Sequence, residues 1–239
     1  MNHYISRAEL YEISEGLINL YLKTKAKPVE YIDIDDFVTK FLNLNVRYAS
    51  FAEDDKGKVG FLADGKTPLL TYGNGIIAAQ TFPENTIVID RYLLNDKENG
   101  KRRFTLAHEV SHYILNRMQK NETVASFNNG FDCERQYTKA ELIQMFKSSE
   151  WQADAMAASL LMPIAFIERT KRKFYKSKNI TIYGDNVFSS TDKVKLHQMA
   201  NELKVSYTAL VIRLRTLELV EVHDISEYLS KEFNLGGVL

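Results

Sequence analysis

A single cysteine, Cys133, stands in 239 residues, which excludes an internal disulfide framework and fits a reducing compartment. Nothing beside it marks an activated thiol, so it reads as an ordinary loop residue. No apolar run approaches the roughly 18 residues that would span a bilayer. The opening residues Met1-Asn2-His3-Tyr4-Ile5 lack the charged and apolar regions of a secretory signal. Net charge is missing too: 31 basic residues balance 31 acidic ones, so no global field draws the chain to nucleic acid or anionic lipid. These absences lead us to expect a soluble, cytoplasmic protein. The 45% apolar content supplies a core, and the length suits one large domain or a domain with a small appendage.

The pattern along the chain is mixed. Ile5 to about Lys25 reads as an amphipathic helix with Leu10, Ile13, Leu17, Leu20 and Tyr21 on its apolar side. Pro28 ends it, and Ile34–Leu42 reads as a second helix, with Asp33, Asp35 and Asp36 at its favourable N-terminal end. Four short β-like runs follow, Val46–Phe51, Val59–Ala63, Leu69–Tyr72 and Thr86–Asp90, separated by Gly65, Gly73, Gly75 and Pro83. They predict a small antiparallel or mixed sheet just before the most informative segment of the chain.

That segment is His108-Glu109-Val110-Ser111-His112, an HExxH pattern. On a helix, residues four apart share a face, so His108 and His112 can grip one metal ion together. Glu109 lies one position round, where its carboxylate can reach a water on that metal without being a ligand. Leu106, Val110, Tyr113 and Ile114 recur at helical spacing, which predicts a helix packed on a core. The chemistry implied is zinc-assisted hydrolysis, most often of a peptide bond, with Glu109 as general base and then acid.

Catalytic zinc takes three protein ligands and keeps one position open. The residues after His112 offer no Gly and no third His, so the metzincin pattern is excluded. Downstream, Ser148–Met162 is rich in helix formers and Pro163 stops it. Glu150 and Asp154 are four apart on that helix; one carboxylate could ligate zinc and the other accept the free ring N–H of a ligating His. Glu122, Asp132, Glu134 and Glu141 are rival ligands in the intervening segment.

The segments RRFTLAHEVSHYIL at 102–115 and EWQADAMAASLLMP at 150–163 resemble the two signatures of the ImmA/IrrE family of metallopeptidases. Glu150 and Asp154 also resemble the ExxxD of gluzincins. The resemblance implies that His108, His112 and Glu150 bind one zinc ion per chain, that Glu109 is catalytic, and that Asp154 orients a zinc-binding His, His108. It implies an α+β, zincin-like fold: a small mixed or antiparallel sheet, an HExxH helix and a C-terminal helix-turn-helix-like element. A sheet edge would line the cleft, where a substrate backbone can add as an extra strand. The resemblance further implies a protein substrate, a helix-turn-helix repressor of a mobile element or stress circuit. Two departures stand out: Met156-Ala157 replaces a Phe-Ala pair, and His112 and Glu150 are separated by 38 positions (112 to 150), longer than the family pattern. The added length falls at Asn121–Gln136, where Asn128-Asn129-Gly130 predicts a turn.

An oxyanion donor is not fixed by spacing; Tyr175, Tyr183 and His197 are candidates, each more in keeping with packing or surface roles. The basic run Lys171–Lys178 reads as a solvated helix face. Leu196–Leu203, a turn at Lys204-Val205-Ser206, and Tyr207–Leu217 have helix-turn-helix spacing. Only Arg213 and Arg215 are basic on the second of these helices, a poor footprint for direct DNA contact. A last short helix is expected at Asp224–Phe233. We therefore expect a peptidase domain at 1–185 and a helical element at 186–239. The alternative is a metal-containing regulator that binds DNA or a partner repressor without cutting it.

Overall fold

The structure is a computed structural model that describes residues 5–54, 57–73, 75–119, 126–129, 150–176 and 178–233. It packs as two compact units, Met1–Pro163 and Ile164–Leu239. The expected division at 185/186 falls inside the second unit, because the helix after Pro163 packs against the helix that begins at Ser190.

In the first unit, α1 (Arg7–Lys23) starts at a capping box. The Ser6 hydroxyl accepts from the Glu9 N–H at 3.3 Å, and the Glu9 carboxylate accepts from the Ser6 N–H at 2.8 Å. Its buried face is Leu10, Ser14, Ile18 and Tyr21. The expected stripe was rotated from this, since Leu20 is exposed. Ser14 is tolerated inside because its hydroxyl donates to the Leu10 carbonyl at 2.6 Å. The second expected helix covers nearly its expected range, but most of it is π-helical, with a wider turn than an α-helix. It is α2 (Ile34–Asp36), capped by Asp33, running on into a π-helical turn at Phe37–Phe41. That turn brings Phe37 and Phe41 against Tyr21, with centroids 5.4 and 5.7 Å from it.

The sheet has six strands: β1 (Asn45–Phe51), β2 (Lys58–Leu62), β3 (Leu69–Gly73), β4 (Ile76–Gln80), β5 (Thr86–Asp90) and β6 (Ser126–Asn129), in the order β4-β3-β1-β5-β2-β6. β1 and β5 run parallel, and every other pair is antiparallel, so the sheet is mixed. β5 and most of β2 are buried, consistent with central strands covered on both faces. β4, absent from the sequence expectation, is exposed along its whole length. The turn expected at Asn128-Asn129 is corrected as well: both residues lie in β6, paired with β2. Ladder hydrogen bonds to an otherwise open strand outweigh the local turn preference of Asn.

Helix α3 (Asn99–Met118) lies against β2, β5 and β6. Two arginines in its early turns fix it. Arg102 makes a bidentate pair with Asp35, at 2.6 and 2.9 Å, and donates to the Tyr48 hydroxyl at 2.9 Å. Arg103 is buried and donates to the Ile32 carbonyl at 2.6 Å. Helix α4 (Glu150–Leu161) packs on α3 on one side and α1 on the other. Ala153 and Ala157 leave room for that double contact, and the Gln152 amide donates to the Ile5 carbonyl at 3.0 Å.

The second unit holds α5 (Ile164–Tyr175), β7 (Ile180–Tyr183), α6 (Ser190–Leu203), α7 (Tyr207–Thr216), β8 (Val220–His223) and α8 (Ile225–Glu232). β7 and β8 pair in parallel, with α6 and α7 forming the crossover. α6 ends at Lys204 in the left-handed conformation, and the Ser206 hydroxyl caps α7 by accepting from the Ala209 N–H at 3.1 Å. Among the described residues, no helix is long and apolar enough to cross a membrane.

Candidate metal centre

The site is built from two helices of the first unit. Helical spacing stacks His108 and His112 on one face of α3, with ring centroids 4.7 Å apart. Both imidazoles are buried, at 2% and 4% exposure. The first turn of α4 supplies Glu150, and one turn later the same helix presents Asp154. His108 Nε2 lies 3.2 Å from Glu150 Oε2 and 3.0 Å from His112 Nε2, while His112 Nε2 lies 3.4 Å from Glu150 Oε1.

The donor set can be tested against the demands of a metal. Ligand atoms about 2.0–2.2 Å from a tetrahedral ion lie roughly 3.3–3.6 Å from one another. Those of His108, His112 and Glu150 all fall within 4.8 Å of one another, at separations close to that requirement. His108 Nδ1 is 2.8 Å from Asp154 Oδ1, which places the ring proton on Nδ1 and leaves the Nε2 lone pair turned to the cluster. The three residues can therefore hold a metal ion, and among the described residues they are the one His/Cys/Asp/Glu group with this convergence.

Charge explains the remaining features. Burial pulls the His108 imidazolium down, but its hydrogen bonds to Asp154 and Glu150 outweigh burial and set it at about 10, so a metal ion binding at Nε2 would displace a proton there. His112 lies below the usual histidine range, because burial dominates and the neighbouring His108 adds to it. Burial would raise Glu150, yet the hydrogen bonds from both imidazoles hold it down at about 2. The acid therefore stays ionised and available as a ligand.

Glu109 is fully buried, and its charge acts on His108. Its carboxylate lies against the backbone of β2, where Gly60 leaves the space. Sequence reasoning missed Gly60; the available signal was a glycine inside a strand pattern, which often marks close approach of another group. The rival acids Glu122, Asp132, Glu134 and Glu141, and Cys133, lie outside the described residues. The three oxyanion candidates all belong to the second unit and have partners there. The Tyr175 hydroxyl donates to the Asp192 carbonyl at 3.3 Å, Lys231 donates to the Tyr183 hydroxyl at 3.2 Å, and His197 stacks on Tyr207 at 4.4 Å.

The family model of the IrrE N-terminal-like domain, peptidase family M78, matches residues 39–215, about three quarters of the chain. The chain belongs to the ImmA/IrrE family. Curated proteins give no match. The ImmA/IrrE match spans both α3 and α4, so all five residues of the cluster fall inside it. It also reaches through most of α7, so the helical pair of the second unit belongs to the matched region as well.

The Asp154 contact yields a prediction. Asp154→Asn should keep the fold but weaken zinc binding about 10–100-fold, because the amide is a poorer acceptor for the His108 ring proton. Competition with a chromogenic zinc chelator measures it, and unchanged affinity would remove Asp154 from the site.

Proposed function

We propose that this chain is a zinc-dependent endopeptidase of zincin-like architecture that acts in the cytoplasm on a protein substrate, a helix-turn-helix transcriptional repressor. One observation carries the reading. Two imidazole nitrogens and a carboxylate oxygen from two helices converge within 4.8 Å, with the buried Glu109 beside them. Two nitrogens and one oxygen form the ligand set of a gluzincin-type catalytic zinc site, and membership of a peptidase family supports the same assignment. Zinc bound there would polarise the scissile carbonyl and lower the pKa of its water from about 15.7 towards 7.

The roles of the side chains follow from their placement. His108, His112 and Glu150 are the ligands. Asp154 holds the His108 ring in the tautomer that binds. Glu109 takes the proton from the attacking water and delivers it to the leaving amine. Its burial fixes the carboxylate in one position and keeps bulk water from competing for it.

The choice of a repressor as substrate rests on the family. The helix-turn-helix spacing of α6 and α7 favours a second reading, a metal-containing regulator that binds DNA or a partner repressor. Its electrostatic footprint is weaker than the sequence suggested, since Arg213, one of two basic residues on α7, is buried.

The test is incubation of the zinc-loaded full chain with candidate helix-turn-helix repressors from the same genome, any encoded next to its gene first. The expected result is one new N-terminus, identified by mass spectrometry and suppressed by 1,10-phenanthroline. A tight complex in which the repressor stays intact would overturn the peptidase reading in favour of the regulator.

A further inference from the structure

Gly60 sits in the middle of β2 with an ordinary, non-left-handed φ, so backbone freedom does not explain a glycine there. Space does. A Cβ on Gly60 would lie 2.6 Å from Glu109 Oε1, 3.0 Å from Glu109 Cγ and 2.6 Å from Thr105 Cγ2. Contacts below 3.0 Å require something to move. Two of the three atoms belong to the side chain assigned as the general base. The ladder is irregular at the same place: Lys58 pairs with Asn129 and Gly60 with Asn128, so Val59 is an extra residue on β2. Such a bulge re-aims the strand locally, and bulges gather beside active sites.

We infer that Gly60 is a positioning residue for catalysis: its missing side chain is the seat of the Glu109 carboxylate, and the β2 bulge sets that seat against α3. The inference rests on the reading of Glu109 as the general base. Gly60 touches no metal ligand in these contacts, so a methyl group there displaces the base and leaves His108, His112 and Glu150 in place. A displacement near 1 Å can cost about 100-fold in rate.

The experiment compares Gly60→Ala in three backgrounds of the full chain: wild type, Thr105→Ser and Glu109→Ala. Gly60→Ala should melt about 3–10 °C lower than wild type, in line with overpacking by one methyl. That loss should shrink by at least half in the Glu109→Ala background, and this coupling is read with no substrate at all. Thr105→Ser should return part of the melting temperature without returning activity. Zinc content by mass spectrometry should be unchanged, and kcat on the repressor cleaved by wild type should fall about 10–100-fold with KM nearly constant. A melting loss that is the same in all three backgrounds overturns the inference, and so does wild-type kcat in Gly60→Ala. Loss of zinc in step with loss of activity also overturns it, by routing the effect through the ligands. Full activity in Glu109→Gln would instead strike the assignment of the base, while the steric coupling of Gly60 to Glu109 would still be measured.

Discussion

Glu109→Gln is expected to purify with a full zinc complement and to lose roughly 10²–10⁴-fold in kcat, the range of a single general acid–base group. The amide is nearly isosteric with the carboxylate, so the close contact with β2 at Gly60 is preserved and the fold should not respond. The amide cannot accept the proton from water at neutral pH, so both halves of the proton transfer fail together. KM should move little, because the substitution removes an interaction that matters in the transition state and not in ground-state binding. Steady-state kinetics alongside metal analysis checks this. Wild-type turnover in Glu109→Gln would eliminate the assigned mechanism, and loss of zinc would make Glu109 a ligand.

His112→Ala and Glu150→Ala should each abolish stoichiometric zinc binding, with affinity falling by more than the 10–100-fold expected for an outer contact. The consequence for stability is equally large. A ligand at about 1,000 times its Kd stabilises the folded state by about 4 kcal/mol, which corresponds to a rise on the order of 10 °C in a chain of this size. Wild type should show that rise on adding zinc after chelation, and neither variant should. Glu150→Ala that still melts higher with zinc would transfer the third ligand to an acid elsewhere in the chain. The two variants should differ in their metal-free state. Removing His112 deletes a buried ring of 4% exposure, whereas Glu150 is one-third exposed. His112→Ala should therefore be the less stable of the two without metal.

The local signals in this sequence were strong where a pattern repeats over several turns. α3 was readable from the spacing of Leu106, Val110 and Ile114, and the same spacing placed both histidines on one face. β1, β2, β3 and β5 were found within a residue or two of their ends, and Ser206 marked the start of α7. The sequence also held the pairing of Glu150 with Asp154, because a four-residue spacing on a helix is a geometric statement. What it lacked were outcomes decided by distant partners. The parallel match of β1 to β5, and of β7 to β8, depends on segments that never adjoin in sequence. Ile76 and Ile77 gave no alternation to read, since β4 is exposed along its length. The buried face of α1 includes Ser14, whose hydroxyl donates to the Leu10 carbonyl, a contact no hydropathy pattern records. Gly60 was visible as a letter, but its meaning came only when α3 lay across it.

The division of the proposed ligands between α3 and α4 bears on biosynthesis. Translation at about 5–20 residues per second puts some 2–8 s between the emergence of His112 and that of Glu150, 38 positions later (112 to 150). During that interval the nascent chain presents two imidazoles without the α4 carboxylate, so on the proposed ligand set it would compete poorly for the metal ion. Under the proposed assignment metallation would wait until α4 has been made and has docked, and a ribosome stalled before residue 150 would release a chain without the proposed hydrolytic centre.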